Sequence, residues 1–222
     1  MTFSLIALEP SSRTLGIACA TGGPALGGFV PHLLPGIGAA ITQGYSTHVA
    51  AAERALVWLA EGWQVDDVIA RLRDEDRGQA WRQLGLLDID GRSAGWSGEA
   101  NEAEVAMQLE SGLVVAGNML ASDTVVPAMV AAFHRAMRRS ATLADALLAA
   151  LSDGQRAGGD RRGEFSAALK VRSPGGVPLD LRIDDAADAV TALVDLHRRI
   201  RDDTAFQAFL GRLPTADDPH RH

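Results

Sequence analysis

The most constraining feature of the sequence is a pair of strand-length apolar runs close to its start. Residues 3–8 are FSLIAL and residues 14–20 are TLGIACA, with the turn-forming residues EPSSR between them. This spacing predicts a β-hairpin. Both runs are apolar at nearly every position, whereas a strand with one solvated face alternates apolar and polar residues. The hairpin is therefore expected to be covered on both faces.

The predicted elements come in blocks of one type. Apolar residues at helical spacing predict helices over residues 49–59 and 65–72, after the early strands. The run QLGLLDIDGRSAGWSG then predicts a second hairpin around the turn pair Asp90 and Gly91. Two more helices, two more strands and a final helix follow. This segregated order predicts an α+β fold with two packed sheets between helical layers, rather than a regular βαβ array.

The remaining helix and domain boundaries are predicted from the second half of the chain. Asp123 is the predicted N-cap of the third helix, and Thr142 is that of the fourth. The final amphipathic helix is expected over residues 188–201. We predict a single domain over residues 1–205, and a C-terminal extension over residues 206–222 that ends in a partly disordered tail.

Composition limits the classes of partner. The formal net charge is −7 and the arginines are scattered or mixed with acids, which disfavours a nucleic-acid surface. No apolar stretch approaches the ~18 residues needed to cross a bilayer. No basic segment followed by an apolar run, the mark of a signal peptide, precedes the first strand. We therefore expect a cytoplasmic protein that binds neither nucleic acid nor membrane.

Common cofactor and metal motifs are absent from the sequence. The run GIGAAITQG at 36–44 places Ile41 where a dinucleotide-binding loop needs its third glycine. The six histidines form no HExxH motif, and the helical spacing of His197 with Leu193 favours a core or interface histidine over a metal ligand. Cys19 is the only cysteine and lies in an apolar run, which favours an inert buried thiol. We expect neither a cofactor nor a metal.

Several polar residues stand where the local structure does not require them. Thr42 and Gln43 end an otherwise apolar strand, Glu99 follows a hairpin strand, and Asn118 lies between a predicted strand and a helix. A strand end, a solvated loop and a left-handed turn would explain them without any function. Alternatively, Thr42, Gln43 and Glu99 contact a substrate, and the Asn118 amide donates to an oxyanion. The sequence leaves both explanations open.

The segment GQRAGGDRRGEFSAAL at 154–169 is the sharpest of these stretches. Glycines on both sides of Asp160 allow its carboxylate to approach another part of the chain closely. A capped turn with solvated arginines would account for the pattern. Alternatively, Asp160 orients a catalytic group and Arg162 binds a substrate carboxylate. Ser166, at the start of the next strand, is able to join either arrangement.

Taken in order, these motifs resemble the uncharacterised bacterial family called domain of unknown function 1028. The resemblance implies membership of the N-terminal-nucleophile (Ntn) hydrolases, which share a four-layer αββα sandwich and hydrolyse amide bonds. It also implies that Thr2, otherwise an ordinary strand residue, is the nucleophile once Met1 is removed. It extends from Met1 to about Leu196 and rests on MTFSLIA at the start, GIGAAITQ, RQLGLLDIDGR, GNML, GQRAGGDRRG with SAAL, and DLRIDD.

Carried onto this chain, the resemblance implies a catalytic set of Thr2, Asn118, Asp160 and Ser166. The Thr2 hydroxyl would attack the acyl carbonyl, and its own α-amine, which titrates near ~7.7–8.0, would serve as the base. Backbone N–H groups or Asn118 would stabilise the oxyanion. Asp160 or Ser166 would hold the amine, and Arg162 would bind a substrate carboxylate.

The chain also departs from the pattern of the resembled family. Ala116 and Phe165 stand where glutamine is usual, and Ala186 stands where histidine is usual. Two functions therefore remain open: an amidohydrolase acting on a small molecule or peptide, and a catalytically silent small-molecule-binding or assembly protein on the same fold. The amphipathic final helix and compact domain favour a homo-oligomer in either case.

Overall fold

The computed structural model describes residues 2–102 and 104–222, so the predicted removal of Met1 lies outside the described residues. Within those residues the chain is a mixed α+β protein with ten β-strands in two antiparallel sheets and six α-helices. The strands are β1 (Thr2–Glu9), β2 (Thr14–Thr21), β3 (Pro31–Leu34), β4 (Gly38–Gly44), β5 (Arg82–Asp88), β6 (Ser93–Ser97), β7 (Ala106–Glu110), β8 (Leu113–Asn118), β9 (Ser166–Arg172) and β10 (Leu179–Ile183). The helices are α1 (Val49–Ala60), α2 (Val65–Glu75), α3 (Val125–Arg138), α4 (Leu143–Arg156), α5 (Ala189–Asp202) and α6 (Thr204–Leu210).

The first sheet has the strand order β10-β9-β2-β1-β8-β7, with the predicted β1–β2 hairpin at its centre. Thr2 is opposite Thr21 on β2 and opposite Asn118 on β8. The second sheet has the order β3-β4-β5-β6, and its β5–β6 hairpin turns at Asp90 and Gly91 as predicted. These registers decide which polar side chains meet at the sheet ends.

The two faces of β1 contact different parts of the molecule. Phe3 and Leu5 belong to a buried cluster with residues of α3, α4 and α5. Ile6 lies on the other face of β1, where it packs with Ile41 and Leu87 of the second sheet. Successive side chains of a strand point to opposite faces, so an all-apolar strand is required at this position. The prediction that the hairpin is covered on both faces is confirmed.

The second sheet has its own apolar cluster on the opposite side. Ala40, Leu84 and Leu86 are buried together with residues of α1 and α2, whose apolar positions recur at helical spacing. Ile41 and Leu87 alternate with these residues along the strands and face the first sheet instead. Each sheet therefore contributes one face to a shared core and the other to a helical cluster.

Three details differ from the sequence prediction. The expected N-cap at Asp123 is wrong, because α3 begins at Val125 with Thr124 in the N-cap position and no side-chain capping bond. Strand β7 was not predicted, since its residues are half-buried or exposed and carry little apolar pattern. Helix α6, which Asp203 caps, was also missed, and it crosses the boundary predicted after residue 205. The division at that boundary stays a prediction.

No helix among the described residues is long and apolar enough to span a membrane.

Candidate active site

A row of polar side chains crosses one end of the first sheet. Ser166 on β9 pairs with Thr21 on β2, Thr21 pairs with Thr2 on β1, and Thr2 pairs with Asn118 on β8. Alternation along each strand places these four side chains on the face that meets the second sheet, because residues two or four positions away on the same strands belong to the cluster between the sheets. All four are buried. The sequence singled out three of them, and the register brings them together.

The Thr2 side chain has a defined partner within this row. Its hydroxyl donates a hydrogen bond to Thr21 Oγ1 over 3.1 Å, and Thr2 is 7% exposed. Thr21 was not predicted as a site residue, although it follows an apolar run, as Thr42 and Gln43 do. That strand-end polarity was the available signal.

Two glutamines of the second sheet face the row. Gln43 Nε2 donates to the Thr2 carbonyl over 3.2 Å and to Gln83 Oε1 over 2.6 Å. Gln43 Oε1 in turn accepts from the Ser4 hydroxyl at 2.6 Å. Gln83, which the sequence analysis did not single out, donates from Nε2 to the carbonyls of Ala106 and Gly117, both at 3.1 Å. This polar network closes one end of the apolar space between the sheets.

The network fixes which way the Asn118 amide points. Its Nδ2 donates to Gln83 Oε1 over 3.3 Å, while its Oδ1 is buried without a hydrogen-bond partner among the described residues. A carboxamide presents one acceptor end and one donor end, so the end facing Gln83 decides what the other end offers. In this arrangement one of the two Nδ2 N–H groups is bonded to Gln83, which leaves the second as the only N–H that Asn118 offers to an oxyanion.

The Asp160 segment reaches the row through the end of β2. The backbone N–H of Gly22 donates to Asp160 Oδ2 over 2.5 Å, directly after Thr21. A Cβ on Gly22 would lie 2.8 Å from Asp160 Oδ2, so only glycine permits this approach. The Arg162 guanidinium also binds the carboxylate, with its Nε 3.2 Å from Oδ1 and its NH2 group 3.1 Å from Oδ2. The close approach expected from the glycine pattern is present.

Ser166 also contacts the segment that follows β2. Its hydroxyl donates to the Gly23 carbonyl over 2.6 Å and accepts from the Leu26 N–H at 3.1 Å. Asp160 thus binds Gly22 itself, and Ser166 binds the chain that follows it. In this structure both act on the backbone that carries Thr21 rather than on Thr2 itself.

Two predicted substrate-binding residues lie apart from the row. Thr42 alternates with Gln43, so its side chain faces the α1 side of the second sheet, where its hydroxyl accepts from the His48 N–H at 3.1 Å. Glu99 is exposed in the turn after β6. Their roles stay predictions. Of the departures from the expected pattern, Phe165 is 39% exposed and Ala116 is fully buried between the sheets.

A buried cysteine thiol and a cavity lie outside this row of polar side chains. Burial raises the pKa of the Cys19 thiol to about 12, so this cysteine stays protonated and inert near neutral pH. Among residues 2–102 and 104–222, no group of three or more histidine, cysteine, aspartate or glutamate side chains is placed to hold a metal ion. A cavity of about 440 Å³ lies at the opposite end of β1, lined by Pro10, Arg13, Phe133 and His134 among others.

Comparisons with known proteins agree on one family. The model of the family of unknown function DUF1028 matches residues 2–193. The crystal structure of protein SPO2555 from Silicibacter pomeroyi, assigned to the same family, has a TM-score of 0.91 and 30% identity, over 99% of this chain and 98% of that one.

A more distant likeness is to Anbu, an ancestral beta-subunit, from Yersinia bercovieri. Its TM-score is 0.39 at 9% identity, over 96% of this chain and 98% of that one, too low to support a statement about fold. No curated protein matches the chain. The family model and the S. pomeroyi structure agree over almost the whole length, and the chain therefore belongs to the family of unknown function DUF1028.

Proposed function

We propose that the chain is an Ntn-type amidohydrolase that cleaves an amide bond in a small molecule or peptide, with Thr2 as the nucleophile after removal of Met1. The observation that carries the proposal is the position of Thr2 within the polar row. The hydroxyl is bonded to Thr21, the carbonyl is held by Gln43, and Asn118 is the cross-strand neighbour. An ordinary first strand residue does not need three polar neighbours at the end of an apolar core.

The proposal includes a four-layer αββα arrangement for this fold. Three buried clusters support it: one between the first sheet and α3, α4 and α5, one between the two sheets, and one between the second sheet and α1 and α2. The polar row lies at one end of the middle cluster. A nucleophile on β1 would therefore act at the edge of the space between the two sheets.

The chemistry follows from placing an amine and a hydroxyl on one residue. Thr2 Oγ1 attacks the acyl carbonyl carbon, and its proton passes to the neutral α-amine, directly or through one water. The tetrahedral intermediate collapses as the amine returns that proton to the departing nitrogen, which leaves an ester on Thr2. Water, activated by the same amine, then hydrolyses the ester and restores the hydroxyl.

The other predicted residues take supporting roles in this proposal. Asp160, Arg162 and Ser166 fix the backbone from Gly22 onwards and so hold Thr21 against Thr2. The second N–H of Asn118 Nδ2 can still serve an oxyanion alongside backbone N–H groups, because only one N–H is bonded to Gln83. Before attack the Thr2 hydroxyl must also turn its proton from Thr21 towards the amine.

The test begins at the N-terminus. Intact-mass measurement of untagged protein gives the fraction from which Met1 has been removed. Wild type, Thr2→Ser and Thr2→Ala are then compared on a panel of acyl-amino acids and dipeptides. We expect turnover by the wild type, reduced turnover by Thr2→Ser and none by Thr2→Ala. Full retention of Met1 in active protein, or equal turnover by wild type and Thr2→Ala, would refute the mechanism.

A catalytically silent binding or assembly protein is the second candidate. The burial of Thr2 and of Asn118 favours it, because a substrate needs access to both. The Asp160 carboxylate is likewise occupied by Gly22 and Arg162. On this alternative Thr2→Ala would bind small acyl-amino acids as tightly as the wild type by calorimetry, and neither protein would turn them over.

A further inference from the structure

The polarity of the buried network is set by groups that can only accept hydrogen bonds. The carbonyls of Ala106 and Gly117 both lie 3.1 Å from one end of the Gln83 side chain, and that end must therefore be the Nε2 donor. The Thr2 carbonyl fixes Gln43 in the same way. Gln83 Oε1 is then left to accept from Gln43 and Asn118. Gln83 thereby orients the Asn118 amide with its oxygen turned away.

That oxygen is the unusual atom of the site. Asn118 Oδ1 is buried and has no hydrogen-bond partner among the described residues. Leaving a buried acceptor unsatisfied is costly, and each such atom in a native protein calls for an explanation. An acceptor that solvent does not reach is best satisfied by a donor that belongs to the chain itself.

We propose that Asn118 Oδ1 accepts a hydrogen bond from the α-amine of Thr2 and holds that amine beside the Thr2 hydroxyl. The inference rests on the proposed function, since it requires removal of Met1. Directly opposed residues of antiparallel strands have Cα atoms ~4.5–5.5 Å apart, which puts the Thr2 nitrogen within reach of the Asn118 side chain. Removal of Met1 converts a peptide N–H into an amine with additional N–H donors, at a position already buried.

Asn118 is thus a positioning residue that acts through an acceptor oxygen, with Gln83 setting its orientation. The facing groups of the second sheet, Gln43 and Gln83, are neutral. Among the described residues, charged side chains reach the row from the loop before β9: Asp160, paired with Arg162, through Gly22, and Arg161, whose Nε donates to the Met119 carbonyl beside Asn118. A hydrogen bond to the protonated amine favours that form, so Asn118 should raise the pKa of the Thr2 amine.

The experiment measures the amine rather than turnover. Each protein is made behind a cleavable ubiquitin that leaves Thr2 as the first residue, and is labelled with ¹³C-threonine. The pKa of the Thr2 amine is read from the pH dependence of its Cα chemical shift. The variants are Asn118→Leu, which removes the acceptor, Asn118→Asp, which keeps an acceptor but loses Nδ2, and the control Gln108→Leu, on the edge strand β7, where the Gln108 amide bonds Glu110.

We expect the amine pKa in Asn118→Leu to fall by about one unit relative to wild type, a size set by one hydrogen bond to a charged group. Asn118→Asp should match or exceed the wild-type value, and Gln108→Leu should leave it unchanged. An unchanged pKa in Asn118→Leu, or the same lowered pKa in Asn118→Asp, would overturn the inference. If Asn118→Leu does not fold, a lowered pKa in folded Asn118→Asp still overturns it and a maintained or raised one supports it. A protein that hydrolyses nothing but shows these shifts would refute the hydrolase and leave this inference standing.

Discussion

Thr2 and Asn118 are direct cross-strand partners, and both side chains lie on the face of the first sheet that meets the second. This pairing joins the first strand residue to the last residue of β8. Gln83 then reaches across from the other sheet to bond Asn118 at 3.3 Å. The site therefore depends on sheet register and on the contact between the two sheets. Substitutions that disturb either should change the free energy of unfolding as well as the chemistry of the site.

Gln83→Leu should lower the free energy of unfolding by about 2–4 kcal/mol. The substitution removes the donor to the Ala106 and Gly117 carbonyls and leaves the amides of Gln43 and Asn118 without their shared acceptor. Urea unfolding measures the change. Gln108→Leu is the matched control, because Gln108 is half-buried and its Nε2 bonds Glu110, and it should cost no more than about 0.5 kcal/mol. Equal losses for the two variants would contradict the buried network.

Gly22→Ala should destabilise the protein by about 1–3 kcal/mol, whereas Gly23→Ala should be nearly neutral. A Cβ at Gly22 would lie 2.8 Å from Asp160 Oδ2, from Arg162 Nε and from the Gly163 carbonyl, and that at Gly23 would meet nothing within 4 Å. Thermal unfolding of the two variants gives the comparison. If the hydrolase proposal holds, turnover should fall in Gly22→Ala alone. Similar stability of the two variants would mean that the Asp160 contact is not tightly packed.

The central hairpin was predictable because burial on both faces leaves a signal that needs no tertiary information. The apolar runs of β1 and β2 each fill two clusters at once, and a chain without that burial has no need of such runs. Strand β7 gave no comparable signal. It lies at the sheet edge with side chains that are mostly half-buried, so neither alternation nor a continuous apolar run marks it.

The candidate site was predictable only in part, for a related reason. Gln43 could be singled out because it ends an apolar run, and Asn118 because it lies between a predicted strand and a helix. Gln83 is at the start of its strand, next to Arg82, where a polar residue is unremarkable. Which face Thr42 occupies, and that Thr21 is opposite Thr2, depend on strand register, which a single sequence does not specify.

The stability of the protein should decline as the pH falls below about 6.5, in part because of His197. Burial lowers the pKa of this histidine, and Asp145, whose Oδ1 lies 3.7 Å from its Nδ1, opposes that effect only partly. The unfolded chain therefore binds a proton at a pH where the folded chain does not, so acid favours unfolding.

His197→Leu should reduce the loss of unfolding free energy between about pH 7.5 and about pH 5, as measured by urea titrations at each pH. Burial also lowers the pKa of His32, so some pH dependence should remain. His32→Leu in the His197→Leu background should reduce it again. A His197→Leu protein with the same pH dependence as wild type would show that the histidine titrates alike in both states.

Cys19 should resist thiol reagents until the protein unfolds. The side chain is fully buried and its pKa is raised to about 12, chiefly by burial, so near pH 8 the reactive thiolate is at least ~10³-fold scarcer than in an exposed cysteine. Labelling with an aromatic disulfide reagent should follow urea unfolding. Ala208→Cys in a Cys19→Ser background, with the new thiol on exposed α6, should react within seconds in the absence of urea.

The raised pKa of Cys19 also predicts how the free energy of unfolding changes at alkaline pH. The thiol ionises near 9.0 in the unfolded chain and near 12 in the folded one, so its stabilising effect is fully present below about pH 9 and is lost as the pH rises towards 12. Cys19→Ala should therefore lose less unfolding free energy than wild type between these limits. Rapid native labelling of Cys19, or identical alkaline profiles for the two proteins, would place this thiol in contact with solvent.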